Sequence, residues 1–147
     1  MSTAPRQGSF GHPIRRLDDQ TFVARRQIGA ADIPAVAGAG IRLIVNNRPD
    51  GEEPGQPFSA EIEAAARAAG LGYRHIPVAK GFSAWQVEAM ADALERGPVL
   101  AFCRSGTRST HLWALARASR GAEAPALIDQ AAEAGYDLSE LADWLTR

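Results

Sequence analysis

Apolar positions along the chain fall into brief runs separated by longer stretches with helical spacing. "IRLIVNN" (41–47) and "PVLAF" (98–102) are short, branched and apolar, the pattern of strands buried on both faces of a parallel sheet. "TFVA" (21–24) predicts a leading strand and "YRHIPV" (73–78) a further one. "ADIPAVAGAG" places Asp32 at a helix N-cap with proline inside the first turn. "SAEIEAAARAAG" (59–70) predicts a helix that Gly70 ends. "SAWQVEAMADALERG" opens with Ser83 and Gln86 at capping-box spacing, after which Val87, Met90, Ala91 and Leu94 share one face. A helix over about 109–119 follows the last strand. Two more helical stretches close the chain, the last carrying Leu138, Leu141 and Leu145 on one side.

Strands alternating with helices predict an α/β domain: a mainly parallel central sheet flanked by helices, a three-layer sandwich. Residues 1–14, rich in Ser, Gly and Pro, read as a flexible N-terminal tail, and 15–147 as a single domain. In such sheets ligands bind beyond the carboxyl ends of the strands. Two loops leave those ends, "RPDGEEPGQP" (48–57) and residues 103–108, so both are expected on one rim.

Charge and composition narrow the function classes. Sixteen basic and seventeen acidic residues give a net charge of −1, so no bulk field recruits nucleic acid or a membrane surface. No segment approaches the roughly 18 consecutive apolar residues of a spanning helix, and the N-terminus lacks the apolar core of a signal peptide. The single cysteine makes no intramolecular disulfide. The expectation is a cytoplasmic protein with neither a nucleic-acid nor a membrane partner. Three scattered histidines without cysteine partners predict no metal site, and no cofactor is expected.

The chemistry concentrates in "VLAFCRSGTRSTHLW" (99–113). An apolar strand, Cys103, a short loop with a glycine, Arg108, and Ser109 opening a helix together describe an anion cradle. Arg104, Ser105, Gly106 and Thr107 each supply a backbone N–H, and Gly106 is free to take the positive φ of a tight turn. The following helix aims its positive end into the loop, which favours a thiolate at Cys103. Arg108 is expected to clamp an oxyanion through two parallel hydrogen bonds, Ser109 to donate to the thiolate, and Arg104 to draw anions to the mouth. On the other rim loop, Arg48 is a candidate anion ligand, and Asp50 or Glu52 a candidate general acid. Lys80 and Trp85 are weaker neighbours of this rim, His75 reads as structural, and His111, too close in sequence to act as a triad base, is expected to be partly exposed.

"CRSGTRS" resembles the active-site loop of rhodanese-type sulfurtransferases and is similar to the phosphate loop of cysteine-dependent protein phosphatases. With "NNRPDGEEPGQP", "HIPV" and "GYDLSEL", the chain resembles the bacterial phosphatase-like domains found alone or fused to metallo-β-lactamase-like hydrolases. The resemblance implies a dual-specificity-phosphatase type of fold, activities divided between sulfur transfer and phosphatase chemistry, and a persulfide-processing hydrolase as a candidate partner.

Three departures from the phosphatase pattern decide the ranking. Arg108 follows Cys103 after four residues instead of five, and Phe102 stands where phosphatases usually carry histidine. The loop after the second core strand, "VAKGF" (78–82), has no carboxylate to protonate a leaving alkoxide, a role typically contributing about 10²–10⁴-fold. Sulfite leaves thiosulfate without a proton donor. The sequence therefore ranks first a sulfurtransferase that takes sulfane sulfur from thiosulfate or a persulfide, through a Cys103 persulfide, to an external thiol acceptor. A phosphatase working through a Cys103 phosphocysteine is the alternative, with a small anionic sulfur or phosphate compound as substrate in either case. A non-catalytic anion-binding module is the second alternative.

Overall fold

In the computed structural model, which describes residues 14–146, five strands build one sheet: β1 (Ile14–Asp18), β2 (Thr21–Ala24), β3 (Leu43–Asn46), β4 (Gly72–His75) and β5 (Val99–Phe102). Their order is β1-β2-β5-β3-β4, with β1 and β2 antiparallel and the other pairings parallel. Helices α1 (Ile33–Gly38), α2 (Ser59–Ala68), α3 (Ala84–Leu94), α4 (Thr107–Ser119), α5 (Ala124–Glu133) and α6 (Ala142–Leu145) complete the chain. This is the α/β sandwich that the alternating runs predict.

Strand residues alternate between two cores because successive side chains leave a strand on opposite faces. Val99 and Ala101 of β5, with Leu43 and Val45 of β3, meet Met90, Leu112, Trp113 and Leu127 on the α3–α4–α5 side. Leu100, Phe102 and Ile44 meet Val36, Ile62 and Ala66 on the α1–α2 side. Both faces of the middle strands are thereby removed from water, which is why their sequences read as continuous apolar runs.

The N-terminal strand is the main difference from the expected elements. Ile14, assigned to the tail, is buried and pairs with Ala24, while residues 1–13 lie outside the described residues. β1 is an edge strand in which only Ile14 and Leu17 are buried; the charged residues between them hide the strand pattern. Helix α3 has the expected capping box, with Ser83 N–H donating to Gln86 Oε1 at 2.7 Å and the Gln86 N–H to Ser83 Oγ at 3.4 Å. Asp32 precedes α1 but caps differently: its carboxylate accepts the Gly29 N–H at 2.8 Å across a 3₁₀ turn. The three terminal leucines are buried, though Leu138 precedes a 3₁₀ turn, Leu141 ends it and Leu145 lies on the short α6, rather than all on one helix. None of the helices of the described residues is long and apolar enough to cross a membrane.

Candidate active site

The carboxyl ends of β3, β4 and β5 share a rim, and Cys103 stands on it directly after Phe102. The thiol is 1% exposed and follows the parity of Val99 and Ala101, so it faces the α4 side, whereas Phe102 packs into the opposite core. Only residues 104–106 separate it from α4, which begins at Thr107, two residues earlier than the pattern suggests. Gly106 makes this short connection work. It sits at φ +95°, and a Cβ there would meet the Ala24 carbonyl at 2.8 Å as well as the Tyr136 hydroxyl. Its N–H donates to Cys103 Sγ at 3.2 Å. The amides of Arg104, Ser105, Thr107, Arg108 and Ser109 make no hydrogen bond to protein among the described residues. These are the unpaired donors of a helix N-terminus and its entry loop, a setting that favours anions. Tyr136 braces the loop from below by donating its hydroxyl to the Ser105 carbonyl at 2.8 Å.

Because α4 starts at Thr107, Arg108 lies in its first turn, and the side chain reaches across to the neighbouring loops. Its Nη1 donates to Glu52 Oε2 at 2.7 Å and to the Val78 carbonyl at 2.7 Å, and its Nη2 to Glu52 Oε1 at 2.9 Å. Three of the five guanidinium N–H bonds are thus used, and Nε and the second Nη2 hydrogen are left for another acceptor. The pairing with Glu52 and the proximity of Cys103 raise the Arg108 pKa above its ordinary value. Glu52 responds in the opposite sense: hydrogen bonding to Arg108 first, and to Arg48 as well, holds its carboxyl at about 2 against partial burial.

Arg48 anchors this arrangement from inside. Its side chain is 4% exposed, and Nε donates to Glu52 Oε1 at 2.9 Å and Nη1 to Gln27 Oε1 at 2.9 Å. Its Nη2 lies 3.0 Å from Glu53 Oε1, an ion-pair contact without hydrogen-bond alignment. Glu53 Oε1 also lies 2.8 Å from Arg104 Nε, a second ion-pair contact. The loop that carries these glutamates is pinned by Asn46 Oδ1, which accepts the Arg48 N–H at 2.8 Å, and by His75 Nε2, 2.9 Å from the Arg48 carbonyl.

Several expected roles change with these contacts. Asp50 is engaged at the start of α2: its Oδ1 accepts the Ser59 N–H at 2.7 Å and so satisfies a free donor there. Glu52, ionised between two arginines, holds no proton to give at neutral pH. The Ser109 hydroxyl is buried and donates to Asn47 Oδ1 at 2.8 Å instead of to the thiol. Arg48 is spent on Glu52, Glu53 and Gln27 rather than presented to a ligand. Cys103, Ser105, Gly106, Thr107 and Arg108 are brought together as expected, with Arg104 exposed at the mouth. Ser105 and Thr107 place their hydroxyls 3.2 Å apart. Lys80 and Trp85 are exposed, and His111 is buried with Nε2 3.3 Å from the Asp137 carbonyl. Sequence reasoning missed Gln27, Asn47 and the bracing Tyr136, since each acts across more than 20 residues of chain. Among the described residues no group of three or more His, Cys, Asp or Glu side chains is placed to hold a metal.

The family model for the phosphatase-like domain of beta-lactamase hydrolase-like proteins matches residues 14–120. A beta-lactamase hydrolase-like protein of Agrobacterium fabrum is 37% identical over 139 residues, 90% of this chain and 31% of its own length. The chain therefore spans about a third of that curated relative. A solved candidate phosphatase from Neisseria meningitidis Z2491 superposes with a TM-score of 0.76 at 35% identity, covering 89% of this chain and 94% of its own. The kinase associated phosphatase, at 14% identity and a TM-score of 0.66 over 85% of this chain and 83% of its own, shares the fold. By the extent of the family-model match and the identity to its relatives, the chain belongs to the phosphatase-like domain family of beta-lactamase hydrolase-like proteins.

Proposed function

We propose that this domain is a cysteine-dependent phosphatase-type hydrolase, acting on small phosphate esters whose leaving group departs without being protonated. The observation that carries the reading is Cys103 Sγ held under the Gly106 N–H at 3.2 Å, at the N-terminus of α4 and beside the Arg108 guanidinium. A phosphoryl group in the cradle meets the free loop amides and the open edge of Arg108, donors suited to its equatorial oxygens. The thiolate attacks phosphorus, the ester P–O bond breaks, and the leaving oxygen takes the bonding pair to give a phosphocysteine. Water then attacks phosphorus, the S–P bond breaks, and thiolate, inorganic phosphate and a proton result. Asp50 caps a helix and Glu52 is held ionised, so leaving-group protonation is not available from either. Aryl phosphates with stable phenolates are accordingly favoured over alkyl phosphates.

That same absence favours a second reading, sulfur transfer. The thiolate attacks the sulfane sulfur of thiosulfate, the S–S bond breaks, and sulfite leaves with the electron pair. The terminal sulfur of the Cys103 persulfide then passes to an external thiol. Under this reading a metallo-β-lactamase-like hydrolase is the partner that consumes the resulting persulfide. Four residues between Cys103 and Arg108, a tighter ring than five, also support it.

One set of assays separates the readings. Purified protein and Cys103→Ser are compared on aryl phosphates of graded leaving-group acidity and on thiosulfate with cyanide. Phosphate release that Cys103→Ser abolishes, falling steeply as the phenol becomes less acidic, is the expected result. Thiocyanate formation with a sulfur atom added to Cys103, and no phosphate release, would replace the phosphatase reading by the sulfur one. Neither product would leave a non-catalytic anion-binding module.

A further inference from the structure

The acidic side chain Glu52 contacts the anion clamp itself, and its effect on anion binding has two opposite forms. As a fixed negative charge beside the cradle it repels a second anion. As a bidentate partner it decides where Arg108 points. We propose that Glu52 is a positioning residue for Arg108: it takes the Nη1–Nη2 end of the guanidinium so that the Nε–Nη2 edge is presented to an oxyanion at Cys103. The inference rests on the reading of Cys103 as the centre of an anion cradle.

The contacts support positioning over competition. Glu52 and the Val78 carbonyl use both Nη1 hydrogens and one on Nη2, leaving the two hydrogens of the side-on fork, the pair matched to an oxyanion. A free arginine side chain loses rotamer entropy when it clamps a ligand; one already held from its far end has lost it on folding. Glu52 is itself held. Arg48, buried and fastened to Gln27, donates to Glu52 Oε1 at 2.9 Å, so the order runs from the core through Glu52 to Arg108. A competing carboxylate would need to leave before substrate binds, whereas this one occupies the edge that substrate does not use.

The test compares alkylation of Cys103 by iodoacetate, whose carboxylate serves as the probe anion, with alkylation by neutral iodoacetamide. Wild type is expected to prefer iodoacetate relative to a small free thiol. In Glu52→Gln the iodoacetate-to-iodoacetamide ratio should fall about ten-fold, on the order of one lost charge-assisted contact, with the iodoacetamide rate little changed. Glu52→Asp, which keeps the charge but shortens the reach, should fall in the same direction, and the distant Glu95→Gln should match wild type. A merely structural loss would alter both reagents together and overturn the proposal. An unchanged or increased ratio in Glu52→Gln, the outcome expected from removing a repelling charge, would also overturn it. A wild-type protein without preference for iodoacetate would instead sink the anion-cradle reading, and the inference with it.

Discussion

Replacing Gly106 by alanine puts the smallest possible side chain at the tightest point of the cysteine loop. Two costs add. An L-residue at φ +95° pays about 1–2 kcal/mol for the left-handed conformation. The methyl also meets the Ala24 carbonyl of β2 at 2.8 Å and the Tyr136 ring at 2.9 Å, an overpacking cost of about 1–3 kcal/mol. The sum, about 3 kcal/mol, corresponds to roughly 10 °C in melting temperature for a domain of this size. Urea unfolding followed by circular dichroism measures it. Relief of the strain by moving the loop would pull the Gly106 N–H from Cys103 Sγ, so the alkylation rate of Cys103 should drop as well. Tyr136→Phe supplies an internal check. Alone it loses the hydrogen bond to the Ser105 carbonyl, about 1 kcal/mol, but it also removes the hydroxyl that the new methyl meets. The double variant should therefore be more stable than the two single effects added, while the clash with the β2 backbone persists. Gly106→Ala within 1 kcal/mol of wild type, at an unchanged alkylation rate, would refute the reasoning.

Asp50→Ala removes the acceptor for the Ser59 N–H and should cost about 1 kcal/mol in urea unfolding, with turnover on the best substrate unchanged; a selective loss of turnover would restore Asp50 as a catalytic acid. Glu52 has a folded-state pKa of about 2 against an ordinary 4.5, so its contribution to stability is fully present above pH 4.5 and is lost as pH falls towards 2. Unfolding at pH 6, 4 and 3 should show the gap between wild type and Glu52→Gln closing on acidification, and a constant gap would contradict the assignment. Trp113, fully buried, donates from Nε1 to Asp18 Oδ2 at 2.8 Å and ties α4 to the edge strand β1. Trp113→Phe should cost roughly 2–3 kcal/mol through lost volume and the lost hydrogen bond to Asp18, whose carboxylate keeps the Gln20 N–H and Arg117 as partners, and a cost under 1 kcal/mol in urea unfolding would show that this tie does not matter.

The middle of the sheet was legible because β3 and β5 are buried on both faces, and such strands must be apolar throughout. The capping box of α3 was legible because its partners lie three residues apart. The edge strand β1 was not: a strand with only Ile14 and Leu17 buried, and two adjacent arginines between them, carries little pattern. The cysteine loop showed its cysteine, its glycine and its arginine, since a loop of free amides at a helix start is built from consecutive residues.

What the chain alone determined, then, is the local chemistry: a thiol, a positive-φ glycine and a helix start in one short loop. Tertiary structure decided which charges answer one another. Asp50 and Glu52 look alike in "RPDGEEPGQP", yet the fold turns one onto the amide of Ser59 and the other onto Arg108, 56 residues away. Ser109 sits beside the loop in sequence, and its hydroxyl belongs to Asn47, 62 residues off. Hydrogen bonds and ion pairs depend on distance and direction in space, and sequence spacing supplies neither once the chain leaves one helix or strand.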